Sequence, residues 1–483
     1  LTGNPCLHRL HYGLMKKTNA SIVLFLLVAV LIAGCAGTGI PESPSSPSQT
    51  PLQTPTATVV QPTTTPLAEI NVDPASLKGR QIQFMHPWNG ATALEMAKLI
   101  DEFNQTNSWG IHVIAQTPGS EGMLIDQLAE DLATGNQPAL VALSVDALLK
   151  GADAETRMID LNPYLYSMEW GLPRGVLNDL NPVFLEQDQV SGYQYGIPAE
   201  RTAVMMFYNV TWAKELGFST PPASPTEFQD QICSASKALM KDDDSSNDGL
   251  GGWIISDDGL VTYSWLTALN APVFASGQFT FNTSQVQEAF GYMHNLLTLN
   301  CAWNPRLPAP YDYFARRQAL VYSGYLQDIL PQIEAFSRNN NSDEWKLIPF
   351  PSDQKQQVVI EGPSYAILKT TLEDQLAAWL FIRWMSEPAQ QIRFVQASET
   401  LPLSSGVKDQ LLDSGSMTRS WKDAVTSAGI PVAVPSDQNW TLARTVLEDS
   451  SWQLYKTNLT DAGIPALLAE MDKTFVELKD RQP

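Results

Sequence analysis

The chain is poor in the residues from which most hydrolytic, redox and metal sites are built. It has five histidines and four cysteines, and none of the HExxH, GxSxG, GxxxxGK[ST] or CxxC patterns that mark zinc peptidases, serine hydrolases, phosphate-binding loops and thiol-redox or zinc sites. No cofactor is expected. Positive charge is also scarce, 30 Lys and Arg against 51 Asp and Glu for a net of −21, and such a surface repels nucleic acid and anionic lipid. The apolar run Ile22 to Ala33 falls short of the roughly 20 residues that span a bilayer. Carboxylates are the one abundant reactive group, so composition leaves room for a glycosidase-like acid and base.

What is present is ordered along the chain. Met15-Lys16-Lys17 precedes the apolar run, which ends in Ile32-Ala33-Gly34-Cys35. Positive residues, a short apolar stretch and small residues before the cut describe a signal peptide, and the residues before Cys35 resemble a bacterial lipobox. Residues 1–14 then read as upstream translation and 15–34 as the signal peptide, with Cys35 lipidated and tethering the protein to the outer face of the cytoplasmic membrane. An uncleaved anchor is the alternative. Residues 35–77 are rich in Pro, Ser and Thr, bury too little apolar surface to offset ordering entropy, and read as a disordered tether.

About 410 residues remain, more than one ordinary core supports, which points to two lobes. Gln81 to Met85, Ile111 to Ile114 and Ala139 to Leu143 read as strands. Between them lie a helix with apolar positions 93, 96, 97, 100 and 103 and a second helix from Met123 to Leu132. This alternation calls for a mainly parallel sheet with ligand groups at the carboxyl ends of its strands. Cys233 and Cys301, an even pair in an oxidising compartment, are expected to form a disulfide. Asp244, Ser246 and Asp248 have the start of a calcium-loop spacing, but Ile255 stands where the twelfth-position Glu belongs, so a solvated acidic turn is the main reading and no metal is expected.

The stretch that organises the chain is residues 193–209, YQYGIPAERTAVMMFYN. Ala203 to Tyr208 is an almost unbroken apolar run, a buried strand, and Pro198 before it cannot donate to a ladder, so pairing should begin or change partner there. With Gly196-Ile197-Pro198, Tyr208-Asn209, Gly217 and Pro221-Pro222, the passage resembles the extracellular solute-binding proteins of ABC importers, in particular the large carbohydrate-binding family that includes maltodextrin-binding proteins. The resemblance runs from about residue 80 to the C-terminus. It takes in Glu361 to Leu368 as a second crossing strand, Ser386-Glu387-Pro388, and Leu401-Pro402 before a third crossing. Two departures stand out: Ala139 follows Pro138 where the family more often has Asp, and Arg317-Gln318 replaces a usual glycine.

The resemblance implies an α/β, two-lobed, type II periplasmic-binding-protein-like fold with a hinge of three crossing segments. Lobe one would hold 78–199 and 368–405, lobe two 203–365 and 406–483. It implies a binding protein, not an enzyme, that takes a sugar or oligosaccharide in the cleft between the lobes and delivers it to ABC permease subunits. A secreted carbohydrate-active enzyme, or a receptor for a polyol or anionic metabolite, is the alternative.

A neutral hydroxylated ligand wants flat apolar faces and fixed hydrogen-bonding groups. Trp88, in the loop after the first strand, and Tyr325 and Trp440, where the resemblance brings aromatics into the cleft, are expected to stack on it, and their truncation to spare stability. Asn89, Ser144, Asp146, Arg201, Tyr263 and Glu361 are the polar candidates. For Arg201 and Glu361, at two crossings, the alternative role is a salt bridge that fixes the hinge.

Overall fold

The computed structural model describes residues 69–149, 157–307 and 309–481. The signal peptide, Cys35 and the Pro-rich tether as far as residue 68 lie outside them; the end of the expected tether is ordered, since Pro74–Leu77 forms a 3-10 helix capped by Asp73 and buries Leu77 in the core. Among the described residues no helix is long and apolar enough to cross a membrane.

The strands that position the site are, in chain order, β1 (Gln81–Met85), β2 (His112–Gln116), β3 (Leu140–Leu143), β4 (Ile197–Pro198), β5 (Thr202–Asn209), β6 (Gly251–Ile254), β7 (Ala302–Trp303), β8 (Ala319–Tyr325), β9 (Trp345–Ile348), β10 (Gln357–Glu361), β11 (Ser364–Ile367) and β12 (Ile430–Ala433). The helices used below are α1 (Gly90–Thr106), α2 (Glu121–Thr134), α3 (Pro225–Leu239), α4 (Gly259–Ala268), α5 (Ser284–Thr298), α6 (Leu372–Met385), α7 (Pro388–Ser398), α8 (Arg419–Ser427) and α9 (Trp440–Leu454). Their ends follow local chemistry. Ser120 caps α2, and Gly135 ends it in the left-handed conformation. Ser224 and Glu227 form a reciprocal capping box on α3.

The strands form two main sheets. The first is ordered β2-β1-β3-β11-β4, the second β7-β6-β8-β5-β10-β12 with β9 also on β5. In the first, β1 is parallel to β2 and β3, as the alternation of strands and helices predicts, but β11 joins antiparallel to β3 and β4 antiparallel to β11. The expectation of a mainly parallel sheet thus holds for the N-terminal strands only. The other two arrive at the crossings, where the chain passes from one sheet to the other.

Two crossings are explicit in the pairing. β4 lies in the first sheet, and after three intervening residues β5 begins in the second; β10 lies in the second, and β11 resumes in the first. Pro198 ends the pairing of one sheet, as its missing N–H requires. On the third passage, α7 packs on α1, Leu401 forms an isolated bridge to Arg201, and α8 then packs on β9. Gly362, between β10 and β11, has φ of 153°, and a Cβ there would lie 2.4 Å from the Glu200 carbonyl oxygen. No side chain fits where these two segments pass.

β5 is the axis of the second sheet, and all eight of its residues are buried. Its side chains alternate: Ala203, Met205 and Phe207 enter one apolar cluster, Val204, Met206 and Tyr208 another. One edge pairs with β8, while the other pairs with β10 at its start and β9 at its end.

Cys233 on α3 and Cys301 before β7 form a disulfide with Cα atoms 4.4 Å apart. Gly252 permits the close approach, since a Cβ there would meet the Cys301 carbonyl oxygen at 1.8 Å. Arg317, where the resembling family has glycine, has φ of 56°. Its guanidinium is held by Asp343 and Glu215 at 2.7 Å each, interactions that offset the cost of a left-handed residue with a side chain. In the acidic turn, Asp244 accepts from the backbone and hydroxyl of Ser246, and Asp242 from Asn247. Among the described residues no group of three or more His, Cys, Asp or Glu side chains is placed to hold a metal ion.

Candidate functional site between the two sheets

A cavity of about 420 Å³ is bordered by residues from the ends of both sheets. From the first sheet's side come Trp88, Asn89, Glu121, Ser144 and Asp146; from the second, Thr202, Glu361 and Arg444. Trp88 follows β1, Ser144 and Asp146 follow β3, and Glu121 opens α2, so each stands at the carboxyl end of a strand or in the loop that leaves it. Asn89 is the residue before α1 but makes no side-chain cap, which leaves its amide available to the cavity.

Six of the nine residues selected from sequence line this cavity: Trp88, Asn89, Ser144, Asp146, Glu361 and Trp440. Tyr263 and Tyr325 stand behind its wall. Tyr263 packs edge-on against Trp440, with ring centroids 4.9 Å apart, and the Tyr325 hydroxyl donates to Asp258.

Arg201 is elsewhere altogether. Its side chain is 0% exposed, and its terminal nitrogens donate to the carbonyls of Phe184, Glu200, Gly362 and Pro363, to Asp188 at 2.8 Å and to Ser364. Those partners lie on both crossings, so Arg201 ties the hinge together instead of facing a ligand.

The aromatic walls also differ from expectation. Trp88 is 7% and Trp440 2% exposed, and Trp88 packs against His86, Phe394 and Tyr365. They present an edge to the cavity while their bulk fills the core, so truncating either removes packing as well as a ligand surface. The expectation that such truncations spare stability is corrected accordingly.

The lining residues not selected from sequence include Glu121, Glu200, Thr202, Gln327 and Arg444. Arg444 could have been found, because it lies one helical turn after Trp440 and shares its face. Glu200 adjoins Arg201 at a crossing, but nothing in the chain says which of the two turns inward.

The electrostatics are one-sided. Four carboxyl groups, Glu121, Asp146, Glu200 and Glu361, meet one cation. Arg444 is already engaged, 2.9 Å from Glu361 and 3.7 Å from Asp258, and these carboxylates hold its proton more firmly. Burial pushes Glu200 up to about 7; the Trp88 indole N–H stands close enough to favour its charge, though without hydrogen-bond geometry. Burial, with Asp258, Glu121 and Asp146 nearby, also pushes Glu361 up to about 7 against the opposing pull of Arg444. Asp146 accepts from the Thr441 hydroxyl at 2.7 Å, a bond from the first sheet's side to α9 that spans the cleft.

Two sheets joined by a three-segment hinge with a polar cavity between them define a two-lobed solute-binding fold. The model of the bacterial extracellular solute-binding protein family matches residues 98–426, and the chain belongs to that family. No curated protein matches it in sequence. Among solved structures it is similar to the sugar-binding protein MalE from Xanthomonas citri, with TM-score 0.68 at 16% identity over 83% of this chain and 98% of that one. It is also similar to the cyclic alpha-maltosyl-1,6-maltose binding protein from Arthrobacter globiformis, with TM-score 0.66 at 17% identity over 82% and 98%. A third is an ABC substrate-binding protein from Listeria monocytogenes in complex with cycloalternan, with TM-score 0.66 at 16% identity over 83% and 99%. At these identities the likeness carries the two-lobed fold, and the family places the protein outside the cytoplasm.

Proposed function

We propose that the protein captures a neutral saccharide in the cavity between its lobes and delivers it to the transmembrane subunits of an ABC importer. In this reading it is held at the outer face of the cytoplasmic membrane by a lipidated Cys35. The lobes are 78–199 with 368–405 and 203–365 with 406–483. The observation that carries the reading is the make-up of the cavity: tryptophan edges from both sides, Trp88 and Trp440, among carboxylate and amide groups suited to hydroxyl donors. Carboxyl groups outnumber the single, already paired Arg444, which disfavours an anionic metabolite. Solved structures of similar fold bound to maltose, maltotriose and cycloalternan support the sugar class.

Isothermal calorimetry over a panel of neutral oligosaccharides, with chromatography of the recovered sugar, tests this. Heat with intact sugar supports the receptor. Heat accompanied by cleavage would turn Glu200 and Glu361 into an acid and base and the protein into a hydrolase. Ligand should also draw the lobes together, because only the closed form touches it from both sides. Small-angle scattering with a saturating ligand should then give a smaller radius of gyration.

A further inference from the structure

A second and larger cavity, about 640 Å³, lies wholly among elements of the seven-stranded sheet. It opens at the carboxyl ends of the parallel strands β6 and β7, where ligand groups gather in open α/β sheets, and runs to the end of α9. It shares no lining residue with the cavity between the sheets. Asp258, next in sequence to the lining Asp257, accepts from Tyr325 and faces Arg444 of the other cavity at 3.7 Å.

We propose that this cavity is a second solute site, for a saccharide that carries a carboxylate. Charge separates it from its neighbour. The cleft sets four carboxyl groups against one engaged arginine, whereas here Arg306 and Lys456 stand against Asp257. In a chain with 51 acidic and 30 basic residues, a cavity with this balance runs against the average.

Neither cation is in an ion pair among the described residues. The Lys456 ammonium donates only to the Gln453 side-chain oxygen, at 2.7 Å. An arginine fork with no carboxylate partner has the geometry to take one bidentately from a ligand.

The cavity also offers an apolar face. Trp452 is 60% exposed although its neighbours Ser451 and Leu454 are buried, and Lys456, which follows the C-cap Tyr455 of α9, lines the same cavity as the indole. A sugar ring on the indole would bring its carboxylate toward the cations. The carbonyl end of α9 opposes an anion, and Lys456 stands at that end to offset it. Asn304 donates to the Tyr455 carbonyl at 3.3 Å, which ties the Arg306 loop to the end of the helix. The site stands on one lobe alone and does not depend on the reading of the cleft.

Calorimetry of the full chain with digalacturonate and digalactose tests it. Digalacturonate should bind, more weakly at raised salt, and at least about tenfold more tightly than digalactose at this site. Arg306→Ala and Lys456→Gln, at exposed or half-buried positions where folding is spared, should each lower the affinity about tenfold or more. Trp452→Ala should weaken it too, while Trp88→Phe in the cleft should leave it unchanged. Absence of digalacturonate binding, equal affinity for both sugars, or indifference to Arg306→Ala would overturn the proposal. So would loss of binding in Trp88→Phe, which would assign the ligand to the cleft. Failure of neutral sugars to bind the cleft would count against the proposed transport function and leave the digalacturonate result standing.

Discussion

Glu200 and Arg201 are neighbours in sequence at the same crossing, both buried and both charged types, yet they have opposite surroundings. Arg201 spends its terminal nitrogens on two hinge segments and a buried Asp188. Glu200 faces a cavity, where burial lifts it to about 7 although the Trp88 indole N–H stands near enough to favour its charge. A charge engaged through both terminal nitrogens, with only its Nε unpartnered, holds the fold together, and a carboxyl without such partners waits for something to bind. Burial alone does not separate the two roles; the account of partners does.

The largest effect that would break this comparison is on stability. Arg201→Ala should destabilise by about 3 to 5 kcal/mol, because it leaves Asp188 buried without its partner, and Arg201→Lys should recover little, since a single ammonium cannot reproduce the fork. Denaturant unfolding measures it. A variant that unfolds like the wild type but no longer binds sugar would move Arg201 back into the site.

Gly362→Ala probes the same junction from its other strand. With the Glu200 carbonyl 2.4 Å from the new Cβ, the segments must separate, and a loss of about 1 to 3 kcal/mol is expected, in the range of overpacked cores. An unchanged melting temperature would show that the hinge yields freely there.

Glu200 should declare itself by pH. Its folded value is about 7 against an ordinary 4.5, so between these the native state holds a proton that the unfolded chain releases. The contribution to stability is full below about 4.5 and lost as pH rises through about 7, of order 3 kcal/mol for this one group over the whole window and about 2 kcal/mol between pH 5.5 and 8. The ligand-free protein should melt higher at pH 5.5 than at pH 8, by roughly 2 to 4 °C per kcal/mol. Glu200→Gln should flatten that slope, with Glu361 and Glu399, also lifted to about 7, supplying the remainder. An identical slope in the variant would mean that Glu200 stays ionised.

The smallest effect sharpens the comparison at the walls. Trp88→Phe and Trp440→Phe should each weaken sugar binding by about 1 kcal/mol, the low end for an aromatic contact, with modest change in melting. The alanine variants should add about 3 to 5 kcal/mol of lost packing, because both rings are nearly buried. Phenylalanine variants that bind as the wild type would make these rings core residues only.

Local signals carried much of this. The period of apolar residues was enough for β1, α1 and α2, because helix and strand periodicity are properties of a short stretch. The apolar run 203–208 and Pro198 were enough for the buried β5 and its change of sheet. The resemblance led to Trp88, Asn89, Ser144, Asp146, Glu361 and Trp440, all of which line one cavity.

Four things only the tertiary structure decided. The antiparallel placement of β11 and β4 depends on segments far apart in sequence meeting at a crossing. The inward turn of Glu200 and the engagement of Arg201 depend on which partners the hinge brings near, and neither residue type differs in its preference for burial at that point. Arg317 takes a glycine's conformation because Asp343 and Glu215 arrive to hold it. The two cavities differ in charge because folding sorts an acidic chain's few cations unevenly in space, which composition, being an average, does not record.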